Sequence, residues 1–146
     1  MKDFLAEFRV LLGYPQNIIL LLARVAIAYG FALPALMKIQ NLEGTTLWFE
    51  SIGIPFASFA AYMVSAIETV GIVLLILGLF TRYISVLLAC VMIGAMLFVH
   101  LQHGYSVANN GVEITLYYFL FLCIFATFGP GKFSLDQLLF KRGRYE

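Results

Sequence analysis

Four apolar runs separated by short polar stretches organise the chain: about Asn17–Ile39, Ala57–Leu79, Tyr83–Gln102 and Val112–Phe128. Each approaches the roughly 20 residues that an α-helix needs to cross the hydrocarbon core of a bilayer. The fourth is short and is expected to stand nearly upright. The Thr81-Arg82 turn leaves room only for an antiparallel hairpin between the second and third helices. Gly129-Pro130-Gly131 ends the fourth, because these residues cannot continue a helix. Ser134-Leu135-Asp136-Gln137 has the Ser-x-x-Gln form of a capping box and predicts a short helix over 134–141. At the other end, Phe4, Leu5, Phe8, Leu11 and Leu12 share one helical face, with Lys2, Asp3, Glu7 and Arg9 opposite. That pattern suits a helix lying in the membrane interface over 1–14, separated by Pro15 from the first span. The predicted fold is all-α: one integral membrane domain over 1–146, a four-helix transmembrane bundle with short interfacial helices at both termini.

Composition agrees. The 146 residues are 62% hydrophobic and 12% charged, with a mean hydropathy of +0.95. Soluble domains carry about 25% charged residues, and a soluble fold of this size has too little interior to hide so much apolar surface. The bilayer is the first partner. A net charge of +1 without a basic stripe gives no ground for a nucleic-acid partner. The first dozen residues are too charged to be the apolar core of a cleavable signal peptide.

Charge also predicts orientation. Lys2, Arg9, Arg82, Lys132, Lys141, Arg142 and Arg144 fall on one side, while the other carries Lys38 with Glu43, Glu50 and Glu113. Positive residues favour the cytoplasmic side, so a multi-pass protein with both termini cytoplasmic is expected. The outer connection Gln40–Phe56 holds Trp48, Phe49 and Phe56, aromatic residues suited to the headgroup layer, and ends in an ordered loop over Ser51–Pro55. Cys90 and Cys123 sit mid-span in different runs without a Cys-x-x-Cys pattern. They read as small apolar packing residues. A redox pair is open only if the third and fourth helices bring them together.

Two charges lie where charge is costly. Glu68 is near the middle of the second run, and an ionised side chain at the bilayer centre costs roughly 2.5–3.5 kcal/mol on insertion scales. Glu68, Gly71, Leu75 and Gly78 recur at helical spacing, and small residues let a neighbouring backbone approach. Glu68 should therefore face the bundle. Arg24, inside the first run, is the expected partner of a buried charge pair, although its side chain can also reach the inner headgroups. A proton-handling or ligand-contacting Glu68 is the competing reading.

A second polar group gathers at the outer end. His100 closes the third run and His103 follows at i+3; Asn109 and Asn110 precede Glu113, which complements the dipole of the fourth helix, and Tyr117 lies one turn deeper. Lys38 ends the first helix on this side, fourteen residues from Arg24 and on nearly the same face. One reading has Asn110 capping the fourth helix and the histidines in the headgroup layer. The other is a polar ligand pocket built from Lys38, His100, Asn110, Glu113 and Tyr117. The His-x-x-His spacing is a weak metal signal, and no metal site is assigned.

The order of these features resembles the DoxX family of bacterial membrane proteins. Arg24, Lys38, Ser51-Ile52-Gly53-Ile54-Pro55 and Glu68 carry the first half of the resemblance. Gly78-Leu79-Phe80-Thr81-Arg82, His100, Asn110-Gly111-Val112-Glu113 and the segment from Gly129 to Asp136 carry the second. Where the family often has a His-Gly pair ahead of the helix-one lysine, this chain has Pro34-Ala35, and Pro34 is expected to kink the helix there. The resemblance implies a four-helix bundle in the bacterial inner membrane. It also implies a membrane subunit near thiosulfate:quinone oxidoreduction or a redox-stress complex, working in a homo- or hetero-oligomer with a soluble or membrane redox protein. A bound quinone is the cofactor so implied. The chain offers no ligand set for haem, flavin or an iron–sulfur cluster, so a partner would have to bring the electron carrier. The alternatives are a proton or small-solute transporter, and a non-catalytic scaffold for a partner complex.

Overall fold

The computed structural model describes residues 7, 10, 13 and 15–140, and over them the chain is all-helical. The helix expected over 1–14 and the basic tail from Lys141 lie outside the described residues, apart from those three positions. Helix α1 spans Gln16–Gln40, α2 Leu42–Ser51, α3 Ala57–Leu77, α4 Thr81–Ala95, α5 Glu113–Phe128 and α6 Leu135–Phe140. A π-helical turn, Met96–His100, and a 3-10 turn, Leu101–His103, prolong α4; a second 3-10 turn, Val107–Asn109, precedes α5. Three helical stretches, Gln16–Gln40, Ala57–Leu77 and Thr81–His103, are long and apolar enough to cross a membrane, and the apolar α5 is shorter.

Helix α3 packs between α1 and α4, and α4 packs along α5. Their shared interior holds Ile27, Phe31, Leu75, Ile84, Leu88, Leu122 and Phe125. Large apolar side chains such as Leu22, Tyr29, Leu33, Phe59, Tyr62 and Tyr83 point outward. This inside-out distribution is what hydrocarbon tails require of a bundle surface. A Cβ on Gly71 would meet the Leu88 side chain at 2.9 Å, so the small residue sets how closely α3 and α4 approach.

The expected hairpin is present. Helix α3 ends in a Schellman motif: Gly78 takes φ +67°, its N–H donates to Leu75 O, and the Leu79 N–H donates to Leu74 O. Asp136, fifty-five residues on, caps the start of α4, accepting from the Phe80 N–H at 2.7 Å and the Thr81 N–H at 3.1 Å. Ser134 Oγ accepts from the Gln137 N–H at 3.3 Å, which supplies the side-chain half of the expected capping box. Asn17 Oδ1 accepts from the Lys132 N–H at 2.9 Å. The segment after Gly129 is thus tied back under the bundle.

Two segments differ from the sequence reading. The stretch Gln40–Phe56 contains helix α2, begun by Asn41, whose Oδ1 accepts from the Gly44 N–H at 2.8 Å, with Glu43 in the first turn. Helix α1 runs through Pro34 to Gln40, in agreement with the first expected span. The third run, expected to be one regular span to Gln102, leaves α-helical geometry at Met96 and continues as the π-helical and 3-10 turns.

Arg24 is fully buried and serves this architecture. One Nη donates to Leu75 O at 3.0 Å, a carbonyl of the last turn of α3, and the other to Phe133 O. It thereby gives the capped carbonyl of Leu75 a second donor and ties the loop before α6 to the end of α3. Arg24→Met should cost about 2–4 kcal/mol, since the carbonyls of Leu75 and Phe133 lose a charged donor. Asp136→Ala should cost about 1 kcal/mol, the ordinary value of an N-cap. Denaturant unfolding of the detergent-solubilised protein measures both.

Candidate functional site

At the end of the bundle where α1 finishes, a cavity of about 1110 Å³ opens among α1, α2, α3, the prolonged α4 and α5. Ligand pockets commonly have about 300–1,000 Å³. Its walls are mainly apolar and aromatic, with Phe31, Trp48, Phe49, Phe98 and Tyr118 among them. Into this surface come two opposite charges, Lys38 and Glu68.

The Lys38 ammonium donates to both carboxylate oxygens of Glu68, at 2.8 Å to Oε1 and 2.6 Å to Oε2. Glu68 is 2% exposed and the Lys38 side chain 18%. The expected partnership of Glu68 with Arg24 is therefore not formed. The reason lies in side-chain direction: a helical side chain leans toward the N-terminus of its own helix. On α1 this swings Arg24 away from the bundle centre, toward Leu75 and Phe133, and swings Lys38 inward from the far end. Both face α3, as their spacing predicted, but only Lys38 descends to the level of Glu68. The expectation that Glu68 turns to the bundle interior agrees with the structure.

Of the five outer residues expected to form a pocket, three line the cavity: Lys38, His100 and Asn110. His100 Nδ1 lies 2.8 Å from Asn110 O. A carbonyl can only accept, so Nδ1 carries a proton in this contact, and of the two neutral tautomers the contact selects the one whose Nε2 is an acceptor. Asn110 adopts φ +60°, a left-handed conformation that asparagine tolerates, and its side chain does not cap α5. Glu113 and Tyr117 do not line the cavity. Glu113 accepts from the Val107 N–H at 2.9 Å and from Tyr117 Oη at 3.2 Å, bracing the loop before α5. His103 turns to Val99 O at 2.9 Å, apart from the His100 contact. Among the described residues no group of three or more His, Cys, Asp and Glu could hold a metal ion.

Sequence reasoning placed Glu68 outside the pocket and missed Thr45, Trp48, Cys90 and Tyr118, which also line it. The single tryptophan had been assigned to the headgroup layer, and only helix α2 brings it over the cavity. Cys90 and Cys123 are free thiols, the first exposed and the second half-buried.

Leu75, Leu88, Leu122 and Phe125 are fully buried and share one interior cluster with Phe31 of the cavity wall. The ion pair is largely withdrawn from the surface, with Glu68 only 2% exposed. Breaking a buried pair from one side costs about 3–5 kcal/mol, whereas replacing both partners by apolar residues is often neutral. Glu68→Ala should therefore lose about 3 kcal/mol of unfolding free energy, and Lys38→Met should restore most of it in the double variant. Arg24→Gln in the same background should give only an additive loss. Chemical unfolding of the three variants in one detergent separates the two partnerships.

The matching family model is DoxX, over residues 19–101. CatD of Bacillus subtilis, provisionally named an oxidoreductase, is 38% identical over 121 residues, 83% of this chain and 87% of the relative. YphA of Escherichia coli, named an inner membrane protein, is 29% identical over 133 residues, 86% and 93% of the two chains. An uncharacterized membrane protein of Mycobacterium tuberculosis is 35% identical over 104 residues, 64% of each. No solved structure matches the chain. With its apolar helices and an extended match to both model and relatives, this membrane protein belongs to the DoxX family.

Proposed function

We propose that the chain is the membrane subunit of a quinone-linked redox system and holds the quinone ring in the cavity beside Lys38 and Glu68. The observation that carries this reading is one ion pair set into a mainly apolar, aromatic-walled recess of ligand size. A quinone is apolar over most of its surface and carries two carbonyl oxygens. Lys38 has a third ammonium proton to offer such an oxygen, and Glu68 is a proton-exchanging group next to it. Electrons come from a partner protein, in a hetero-oligomer, because this sequence supplies no ligand set for a haem, flavin or iron–sulfur centre. The provisional oxidoreductase name of CatD supports the same class of activity.

In this reading the chain is a single domain of four spans in the bacterial inner membrane, with both termini cytoplasmic. The name of YphA and the concentration of Lys and Arg at the Arg82 and Lys132 end support that placement. The cavity then opens toward the outer face. The size of the cavity favours a ligand-binding role over a scaffold.

Trp48 is the sole tryptophan and lines the cavity, so it reports occupancy. A short-tailed, fully substituted benzoquinone, which spares thiols, should quench its fluorescence saturably in the purified protein. It should also slow maleimide labelling of Cys90 and leave Cys123 unaffected. Lys38→Met should weaken saturable quenching at least about tenfold, the value of one charged hydrogen bond, while Glu113→Gln should not. Quenching that rises linearly with quinone and is equal in Lys38→Met would defeat the reading.

A further inference from the structure

We infer that the cavity selects the reduced, hydroxyl-bearing form of its aromatic ligand over the oxidised dicarbonyl form. The inference rests on the quinone reading above and deepens it. It follows from counting which hydrogen-bonding positions the wall leaves free.

Thr45 Oγ1 donates its proton to Asn41 O at 2.9 Å, and Thr115 Oγ1 donates to Val112 O at 2.9 Å. Both hydroxyls are buried in the cavity wall, and with their protons committed to helix carbonyls they present only lone pairs. His100 has its Nδ1 proton committed to Asn110 O, which leaves Nε2 as an acceptor. Glu68 accepts two bonds from Lys38 and retains further lone pairs, since a carboxylate has about four acceptor positions. Four side chains of the wall therefore offer acceptors.

Free donors are fewer. Lys38 spends two of its three protons on Glu68, and Tyr118 contributes one hydroxyl. The amides of Asn41 and Asn110 and the Trp48 indole are exposed at the rim, where water serves them equally well whatever is bound.

A quinone has two carbonyl acceptors and no donor. It can satisfy Lys38 and Tyr118 but leaves Glu68, His100 and both threonines facing a ring that gives them nothing. A quinol has two O–H groups that donate to these acceptors and keep lone pairs for Lys38. Sites that hydrogen-bond a ligand hydroxyl discriminate strongly against analogues lacking it, because the site's own polar groups are then left unpaired. His100 is a positioning residue in this scheme: the Asn110 carbonyl fixes its tautomer, and the tautomer fixes which ligand group it accepts.

The test compares three ligands of one ring and tail: the fully substituted hydroquinone under anaerobic conditions, its dimethyl ether, and the quinone. Titration calorimetry on the detergent-solubilised full chain gives each affinity. The hydroquinone should bind at least about tenfold more tightly than either of the others. His100→Phe should shrink that preference about threefold or more with little change in quinone affinity, and Thr45→Val should act in the same direction if the first variant does not fold. Equal affinity for the three, or tighter binding of the quinone, would overturn the inference while leaving the quinone reading intact. Failure of all three to bind saturably would remove both.

Discussion

The Lys38–Glu68 ion pair is the interaction on which the rest of the arrangement turns. A carboxylate inside an apolar bundle survives only if its charge is met at short range, because the surroundings supply almost no solvation. Lys38 meets it with two contacts, and this fixes how far α1 slides along α3. The lysine stem must cross from near the end of α1 down to the level of Glu68, so the space at that end cannot close around it with helix-to-helix packing. Helix α2 folds over the same region through Phe49, packed with Ala57 and Ala61 of α3. A recess lined by one ion pair is the result. The electrostatic constraint and the cavity have a single cause.

Arg24 shows why like charges on one helix need not do like work. It is more deeply buried than Lys38, but it is spent on neutral acceptors: the end of α3 and the carbonyl of Phe133. Those acceptors exist only where a helix stops, and α3 stops where Gly78 turns into the hairpin. A guanidinium, with several donors in one plane, suits two carbonyls that approach from different segments. An ammonium, compact and with three protons, suits a bidentate grip on one carboxylate. The side-chain types are therefore matched to their ends of the bundle, and exchanging them would serve neither.

Much of the fold is legible in the sequence because its determinants are local. The long apolar runs, the Gly129-Pro130-Gly131 stop and the cap at Ser134 each follow from residues within a turn of one another. Helix α2 is also written locally, in the Asn41 cap followed by Glu43, but at ten residues it is too short for an apolar run to announce it, and Trp48 and Phe49 suit a headgroup-layer loop equally well. The partner of Glu68 was not legible in the same way. Spacing places Arg24 and Lys38 on one face, but the choice between them depends on the relative depth of two helices and on the lean of each side chain. The fate of Glu113 is similar: its position suits the α5 dipole, yet its oxygens go to Val107 and Tyr117 because the preceding loop curls back over the helix start. Asn110 likewise gives its carbonyl, and not its side chain, to the structure.

The departure from the family pattern at Pro34-Ala35 now falls in a definite place. Pro34 lines the cavity and Ala35 is buried behind it, one turn before Lys38. A histidine on this stretch of α1 would bring a titratable ring to the wall that Lys38 already serves. Here that wall is aliphatic, and the imidazole of the cavity comes instead from the far side, on the π-helical turn that prolongs α4. Such a turn adds a residue to the helical repeat and re-aims the side chains that follow it. It thereby turns His100 toward Asn110 and the recess, while His103 binds Val99 on its own helix. The ionisable groups of the recess thus reach it from three separate elements, Lys38 from α1, Glu68 from α3 and His100 from the π-helical turn, so the site exists only when those elements are packed together.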